Sequence, residues 1–165
     1  MLFSGFKGRD YPRLWPIREP GPVRMFVEGT VHYGMEGAES DLQWDALTPG
    51  DGIIYLGDDQ PFSISMFHQL RCVNIIRREV IKVHQTNATA APSTLSRHCL
   101  NYLRQMLLCN PNMHLDPLLG SRRNAHANAY MCRDWDAVYQ EVRDNQRRHY
   151  QRHLKVGTTI SLFKR

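Results

Sequence analysis

A chain of 165 residues with 42% hydrophobic content, 22% charged residues and three Trp can bury one moderate core, which excludes a disordered polypeptide. It has no run near the ~18 apolar residues of a membrane span; Met1 to Lys7 is too short and polar to read as a signal peptide, and its four Cys contain no C-x-x-C pair. The net charge of +5 is split unevenly: residues 1–60 hold five basic and ten acidic side chains, residues 61–165 sixteen and six.

Pro12, Pro16, Pro20 and Pro22 break any early helix and hold the residues before them extended. From Val23 to Tyr33 the apolar Val23, Met25, Val27 and Val31 alternate loosely, which predicts a strand. Thr48-Pro49-Gly50-Asp51-Gly52 is a turn cluster. Ile53 to Leu56, closed by Gly57-Asp58-Asp59, predicts a second strand. After Pro61 the pattern changes. Ile64, Phe67, Leu70, Val73, Ile76 and Val80 recur at steps of three and four, predicting an amphipathic helix from about Ser63 to His84. Thr86 to Pro92 reads as a loop. Ser93 and Thr94 offer N-cap hydroxyls for a second helix, in which Leu95, Cys99, Tyr102, Leu103 and Met106 share a face and which stops near Asn110-Pro111.

Residues 111–131 read as a long irregular loop with one short helical chance at Leu115–Leu119. Asp134 then caps a third helix whose apolar face is Trp135, Val138, Tyr139 and Val142. Its continuation is rich in Arg and His and reads as a solvated helical face with a frayed end. No zinc-finger, homeodomain or RNA-recognition pattern accompanies those charges, so nucleic acid stays only a weak alternative as a partner. The expected fold is mainly α (α+β), about three principal helices packed on a small irregular β-hairpin element. One domain covers residues 1–150, followed by a basic tail over 151–165.

His68 and Cys72, four apart, lie one above the other on the first helix, and the second presents the adjacent His98 and Cys99. Two facing helices bearing imidazoles and thiols are the way helical bundles build metal sites. Imidazole suits copper, zinc, iron and nickel, and a thiolate shifts the choice toward copper(I) or zinc. Small buried thiols beside a satisfied core histidine is the plainer alternative. There is no phosphate-cradling G-x-x-x-x-G-K, no G-x-S-x-G and no G-x-G-x-x-G, so kinase, hydrolase and nicotinamide chemistry have no support.

Phe67-His68-Gln69-Leu70-Arg71-Cys72, then His98-Cys99-Leu100-Asn101-Tyr102-Leu103-Arg104-Gln105 with Cys109, then Cys132-Arg133-Asp134-Trp135 occur in that order. Together they resemble the ustYa family of fungal secondary-metabolite oxidases. Tyr11-Pro12, Val31-His32-Tyr33-Gly34, and Trp44 followed by Pro49-Gly50 extend the resemblance over about residues 11–140. It implies oxidative tailoring, by cyclisation, hydroxylation or halogenation, of a cyclic peptide or other small-molecule natural product. It also implies paired H-x-x-H-C motifs holding copper, a lumenal domain of the secretory pathway or one tethered to its membrane, and a homo- or hetero-oligomer with a related protein. The sequon Asn87-Ala88-Thr89 fits a lumenal glycoprotein.

Three histidines of the family pattern are replaced: Arg71 and Leu95 stand inside the two motifs, and Tyr130 stands two residues before Cys132. Arg71 has no lone pair to give a metal. The metal ligands expected are therefore His68, His98, Cys72 and Cys99, with His126 as a replacement for the imidazole missing at Tyr130. Cys109 with Cys132 is one candidate disulfide; Cys72 and Cys99 are ligands, a second disulfide or packed thiols. The catalytic candidates are His68, His98, Arg71, Tyr130 and Asp134, the last also readable as a plain N-cap. His32 with Tyr33 is a candidate pocket-lining pair. Arg104 with Gln105 reads as a structural pair, and His84, His114, His149 and His153 as surface residues. Two further readings stand beside the oxidase. One is a metal-independent, redox-neutral cyclase or dehydratase in which Arg71 holds an anion and the imidazoles move protons. The other is a non-catalytic partner of an active relative.

Overall fold

The computed structural model describes residues 10–27, 29–86, 91–115 and 129–162, with side chains as far as Leu154. The chain forms two compact units, each drawn from separated stretches: residues 1–20, 49–65 and 134–165 in one, residues 21–48 and 66–133 in the other.

The first unit is a hairpin against a long helix. Strand β2 (Ile53–Leu56) pairs antiparallel with β3 (Gln60–Ser63), from Ile53 opposite Ser63 to Leu56 opposite Gln60. The turn between them uses left-handed backbone at Gly57 and Asp59, a conformation that Gly and Asp tolerate. Ile54 and Leu56 point inward from β2, and Val142, with no exposed surface, meets this core from helix α4 (Trp135–Leu162). Two carboxamides tie α4 to the strand. Asn145 accepts from the Tyr55 amide at 2.7 Å and donates to the Tyr55 carbonyl at 2.8 Å, pairing as a neighbouring strand would. Gln146 donates to the carbonyls of Pro49 (2.9 Å) and Ile53 (2.8 Å). Gly50 is required at this junction, because its φ is +56° and a Cβ there would stand 2.6 Å from the Gln146 amide.

The second unit holds the other three helices and the other sheet. Helix α2 (Ser65–Thr86) has two working sides. Phe67, Asn74, Arg77, Arg78 and Ile81 lie on one, and Asn74, Arg77 and Arg78 bond α1 (Ala38–Ala46) or the loop before it. His68, Cys72 and Glu79 lie on the other, against α3 (Thr94–Cys109). Arg77 is buried, 4% exposed, and each of its three guanidinium nitrogens donates a hydrogen bond. It donates to Asn74 Oδ1 (2.9 Å), the Met35 carbonyl (2.6 Å) and Asp41, and lies over the Trp44 ring at 5.5 Å. Trp44 in turn donates to the Gly34 carbonyl at 3.0 Å. Strand β1 (Pro22–Phe26) pairs antiparallel with β4 (Ala129–Arg133), Pro22 opposite Arg133 and Phe26 opposite Ala129.

The mainly α fold with a small β element is as expected, and the three expected helices are α2, α3 and α4. Five details differ. The strand expected to run to Tyr33 ends at Phe26, and Val31, 95% exposed, begins the bends leading into α1. The end of the stretch read as a loop, from Ala129, is instead the partner that β1 needs. Helix α1 was not expected, because it buries no residue and is held by Asp41 and Asp45 rather than by an apolar stripe. On α2, Val73 and Val80 fall between the two working sides and stay exposed. The segment read as a basic tail continues α4 to Leu162. The sequon at 87–89, His126 and most of the Leu115–Leu119 segment lie outside the described residues. No helix among the described residues is long and apolar enough to cross a membrane.

Candidate functional site

The two sequence motifs meet where α2 runs antiparallel to α3. The register is set at one end by Glu79. Its carboxylate accepts from the Ser93 amide (3.3 Å) and the Ser96 hydroxyl (3.2 Å), while Ser93 Oγ caps α3 by accepting from the Ser96 amide at 3.1 Å. The Ser93 hydrogen bonds, with help from Ser96 and Lys82, hold the Glu79 carboxyl below its ordinary range against a small burial effect. The N-cap expected at Ser93 is thus real and is shared between helices.

From that anchor, α3 carries Cys99 past Cys72, and His98 and Tyr102 past His68. Both thiols are 1% exposed. Burial, then the hydrogen bond and charge of Cys99, push the Cys72 thiol up to about 12, so it stays protonated at neutral pH. A thiol must lose its proton to ligate a metal. All four cysteines are free thiols, Cys109 exposed and Cys132 half-buried.

His68 is half-buried with its ring stacked on Tyr102, centroids 4.0 Å apart and planes 21° off parallel. The exposed His98 ring is 6.3 Å away, inclined by the same 21°. His68, His98 and Tyr102 therefore form a ring cluster on the helix pair, with Cys72 and Cys99 packed behind it. Tyr102, read from sequence only as a helix-face residue, is the member that motif reasoning passed over.

The other candidates are placed as follows. Arg71 and Leu95, which replace imidazoles of the family pattern, are both exposed, on α2 and in the first turn of α3. Tyr130 sits half-buried on β4 opposite Met25, its ring 4.4 Å from that of His114. Asp134 caps α4 in the hairpin unit by accepting from the Ala137 amide at 3.1 Å. His32 and Tyr33 are tied to Gln43, and Tyr33 meets Trp44 edge-on at 5.7 Å. Arg104 bonds Asn101 on its own helix. A cleft of about 440 Å³ lies on the α1 side of α2, lined by Glu36, Gly37, Asp41, Arg78, Ile81 and Gln85, with neither imidazole among its lining residues.

As holders of a metal, His68 and His98 offer two imidazoles from facing helices. Among the described residues, no third His, Cys, Asp or Glu donor converges with them. The residues present offer two imidazoles and two buried thiols on facing helices, and no three of their ligand atoms lie within 4.8 Å of one another. The trio of donors that does converge is elsewhere, in the hairpin unit: Asp59, His149 and His153. Sequence reading left both histidines on the surface. Their i, i+4 spacing was the available signal, but Asp59, ninety positions before His149, was invisible without the fold.

A family model described as mycotoxin biosynthesis protein UstYa matches residues 4–150. The UstYa family oxidase phomYb of Diaporthe leptostromiformis is 26% identical, over 76% of this chain and 58% of its own length. The UstYa family oxidase phomYd of the same fungus is 23% identical, over 92% of this chain and 59% of its own length. Oxidase ustYa of Aspergillus flavus is 24% identical, over 72% of this chain and 66% of its own length. The chain spans about three fifths of the curated relatives it matches. No solved structure shows a significant match.

Proposed function

We propose, for a chain that belongs to the UstYa family, that it carries out oxidative tailoring of a fungal secondary metabolite on the α2–α3 face. The observation that carries this is the His68–Tyr102–His98 cluster, formed by the two family motifs despite their replaced histidines. A peptide or similarly sized natural product is the substrate class, in keeping with relatives named as oxidases of this family.

His68 and His98 are the residues that would hold copper, which when bound would supply one-electron chemistry with dioxygen as the terminal oxidant. The chain's own side chains do the rest. Tyr102 fixes the plane of the His68 ring by stacking, and the Glu79 clamp keeps α3 in the register that brings His98 alongside. The buried Cys72, its thiol pushed up by burial, and the buried Cys99 pack against the face.

A second reading, redox-neutral cyclisation or dehydration, is favoured by one specific observation: among the described residues, no group of three metal donors includes His68 or His98. In that reading His68 and His98 exchange protons with the substrate and Arg71 holds an anionic group. The experiment that separates the two is metabolite mass comparison in the producing fungus carrying wild type or His68→Ala. The oxidase reading expects the variant to accumulate a precursor that differs from the lost product by two hydrogens, one oxygen or one halogen. A product isomeric with the precursor, or differing by one water, overturns it in favour of the second reading. An unchanged metabolite profile overturns both.

A further inference from the structure

The hairpin unit contains a second group of donors that neither family motif nor sequence spacing assigns. Asp59, in the β2–β3 turn, faces His149 and His153 on α4. Asp59 Oδ1 is 3.0 Å from His149 Nδ1, and Asp59 Oδ2 is 3.2 Å from His153 Nε2. One ligand atom from each of the three lies within 4.8 Å of the others. We propose that Asp59, His149 and His153 form a binding site for a divalent first-row transition ion of the zinc class, joining the hairpin turn to α4.

The chemistry of the set supports it. Two neutral imidazoles and a carboxylate suit zinc, copper(II), iron(II) or nickel(II), and hard cations such as magnesium prefer all-oxygen sites. Histidines four apart on a helix put both rings on one face, within one turn of each other. Three protein ligands leave a further position for water, and His153 is exposed enough to admit it. The 3.2 Å between Asp59 Oδ2 and His153 Nε2 is a separation that ligands at roughly 2.0–2.2 Å from one ion adopt.

The rings are also held in advance of any ion. His149 stacks on Tyr55 with centroids 3.5 Å apart and planes only 3° off parallel, and both backbone groups of Tyr55 are fixed by Asn145. The His149 and His153 rings meet edge-to-face at 4.4 Å. Arg152 donates to Asp59 Oδ1 at 2.7 Å, which orients the carboxylate and leaves Oδ2 for the ion. Its positive charge opposes a cation, so the site depends on all three ligands together. Without an ion, the same atoms make a hydrogen-bonded charge cluster around Asp59. Burial pushes its carboxyl up, but His149, Arg152 and His153 outweigh that and hold it below the ordinary value.

The test is zinc titration of the whole protein by competition with a chromophoric chelator, with thermal unfolding followed at each zinc concentration. The proposal expects one equivalent bound and a midpoint that rises with zinc. Asp59→Asn and His153→Ala should each weaken binding at least about 100-fold and abolish the rise. His153 is half-exposed, so its variant folds even where His149→Ala, losing the Tyr55 stack, does not. Replacing zinc with cobalt should give the visible absorption of a low-symmetry site, lost in the same variants. No stoichiometric binding, or binding that survives both variants, overturns the proposal and leaves the trio as a charge cluster. Binding lost instead in His68→Ala/His98→Ala overturns it as well, by assigning the ion to α2–α3.

Discussion

The α2–α3 face and the β2–α4 junction use histidine in opposite ways. On α2–α3 the histidines are conspicuous in sequence, sit inside motifs, and end as a stacked ring cluster in which, among the described residues, two imidazoles find no third donor. At the junction they are inconspicuous, lie in a basic stretch that reads as a solvated face, and converge on a carboxylate from a distant turn. A motif reports which chemistry a family once placed at a position. Convergence reports what this chain's atoms can hold. Here the two do not coincide.

Both regions rest on buried polar clamps, and removing the clamps tests whether each region stands by itself. The largest effect belongs to Arg77→Met, which strips Asn74, the Met35 carbonyl and Asp41 of one buried partner. It should cost about 3 kcal/mol in urea unfolding; a loss under about 1 kcal/mol would mean the cluster acts like a surface ion pair. Asn145→Ala should cost about 2 kcal/mol, since it leaves the Tyr55 amide and carbonyl unpaired at a buried strand. The same variant should loosen the Tyr55–His149 stack and weaken zinc binding, whereas Arg77→Met should not; equal effects on zinc would erase the distinction between the regions.

The thiol pair gives a smaller, pH-dependent effect. Cys72 has a folded value raised from 9.0 to about 12, so above pH 9 the unfolded chain loses a proton that the native state keeps. The Cys72 contribution should be constant below about pH 9 and decline as pH rises toward 12. Cys72→Ala should lower the baseline but remove that slope, and a slope unchanged in Cys72→Ala assigns it to other groups. At the acid end, Asp41 is held below its ordinary value chiefly by its Arg77 hydrogen bond, against a burial effect that raises it. Its contribution is present above the unfolded value of 3.8 and is lost as pH falls through the folded one. Asp41→Asn should flatten the acid limb slightly, the smallest of these changes.

Much of the fold was legible because apolar spacing and caps mark it. The period of Ile64, Phe67 and Leu70, the hydroxyl of Ser93 and the carboxylate of Asp134 located α2, α3 and the start of α4 to within a few residues. Helix α1 was not legible, because nothing in Ala38–Ala46 is buried and its partners are Arg77, Arg78 and Asn74 on a helix far along the chain. Strand β4 was hidden for a related reason: Ala129 to Arg133 is a strand only because Pro22 to Phe26 lies beside it. At the site, the meeting of His68 with His98 was readable from two motifs on two helices. The stacking of Tyr102 and the protonated state of Cys72 were not, since both depend on the register that Glu79 imposes.

The most direct measurement of the central contrast is elemental mass spectrometry of the desalted protein after loading with copper or with zinc, in wild type, His68→Ala/His98→Ala and Asp59→Asn. The account predicts two equivalents of copper in wild type, one lost with the histidine pair and the other with Asp59→Asn, and zinc that survives loss of the pair and is lost with Asp59→Asn. Copper content unchanged in His68→Ala/His98→Ala, or both metals lost entirely in Asp59→Asn, would contradict it.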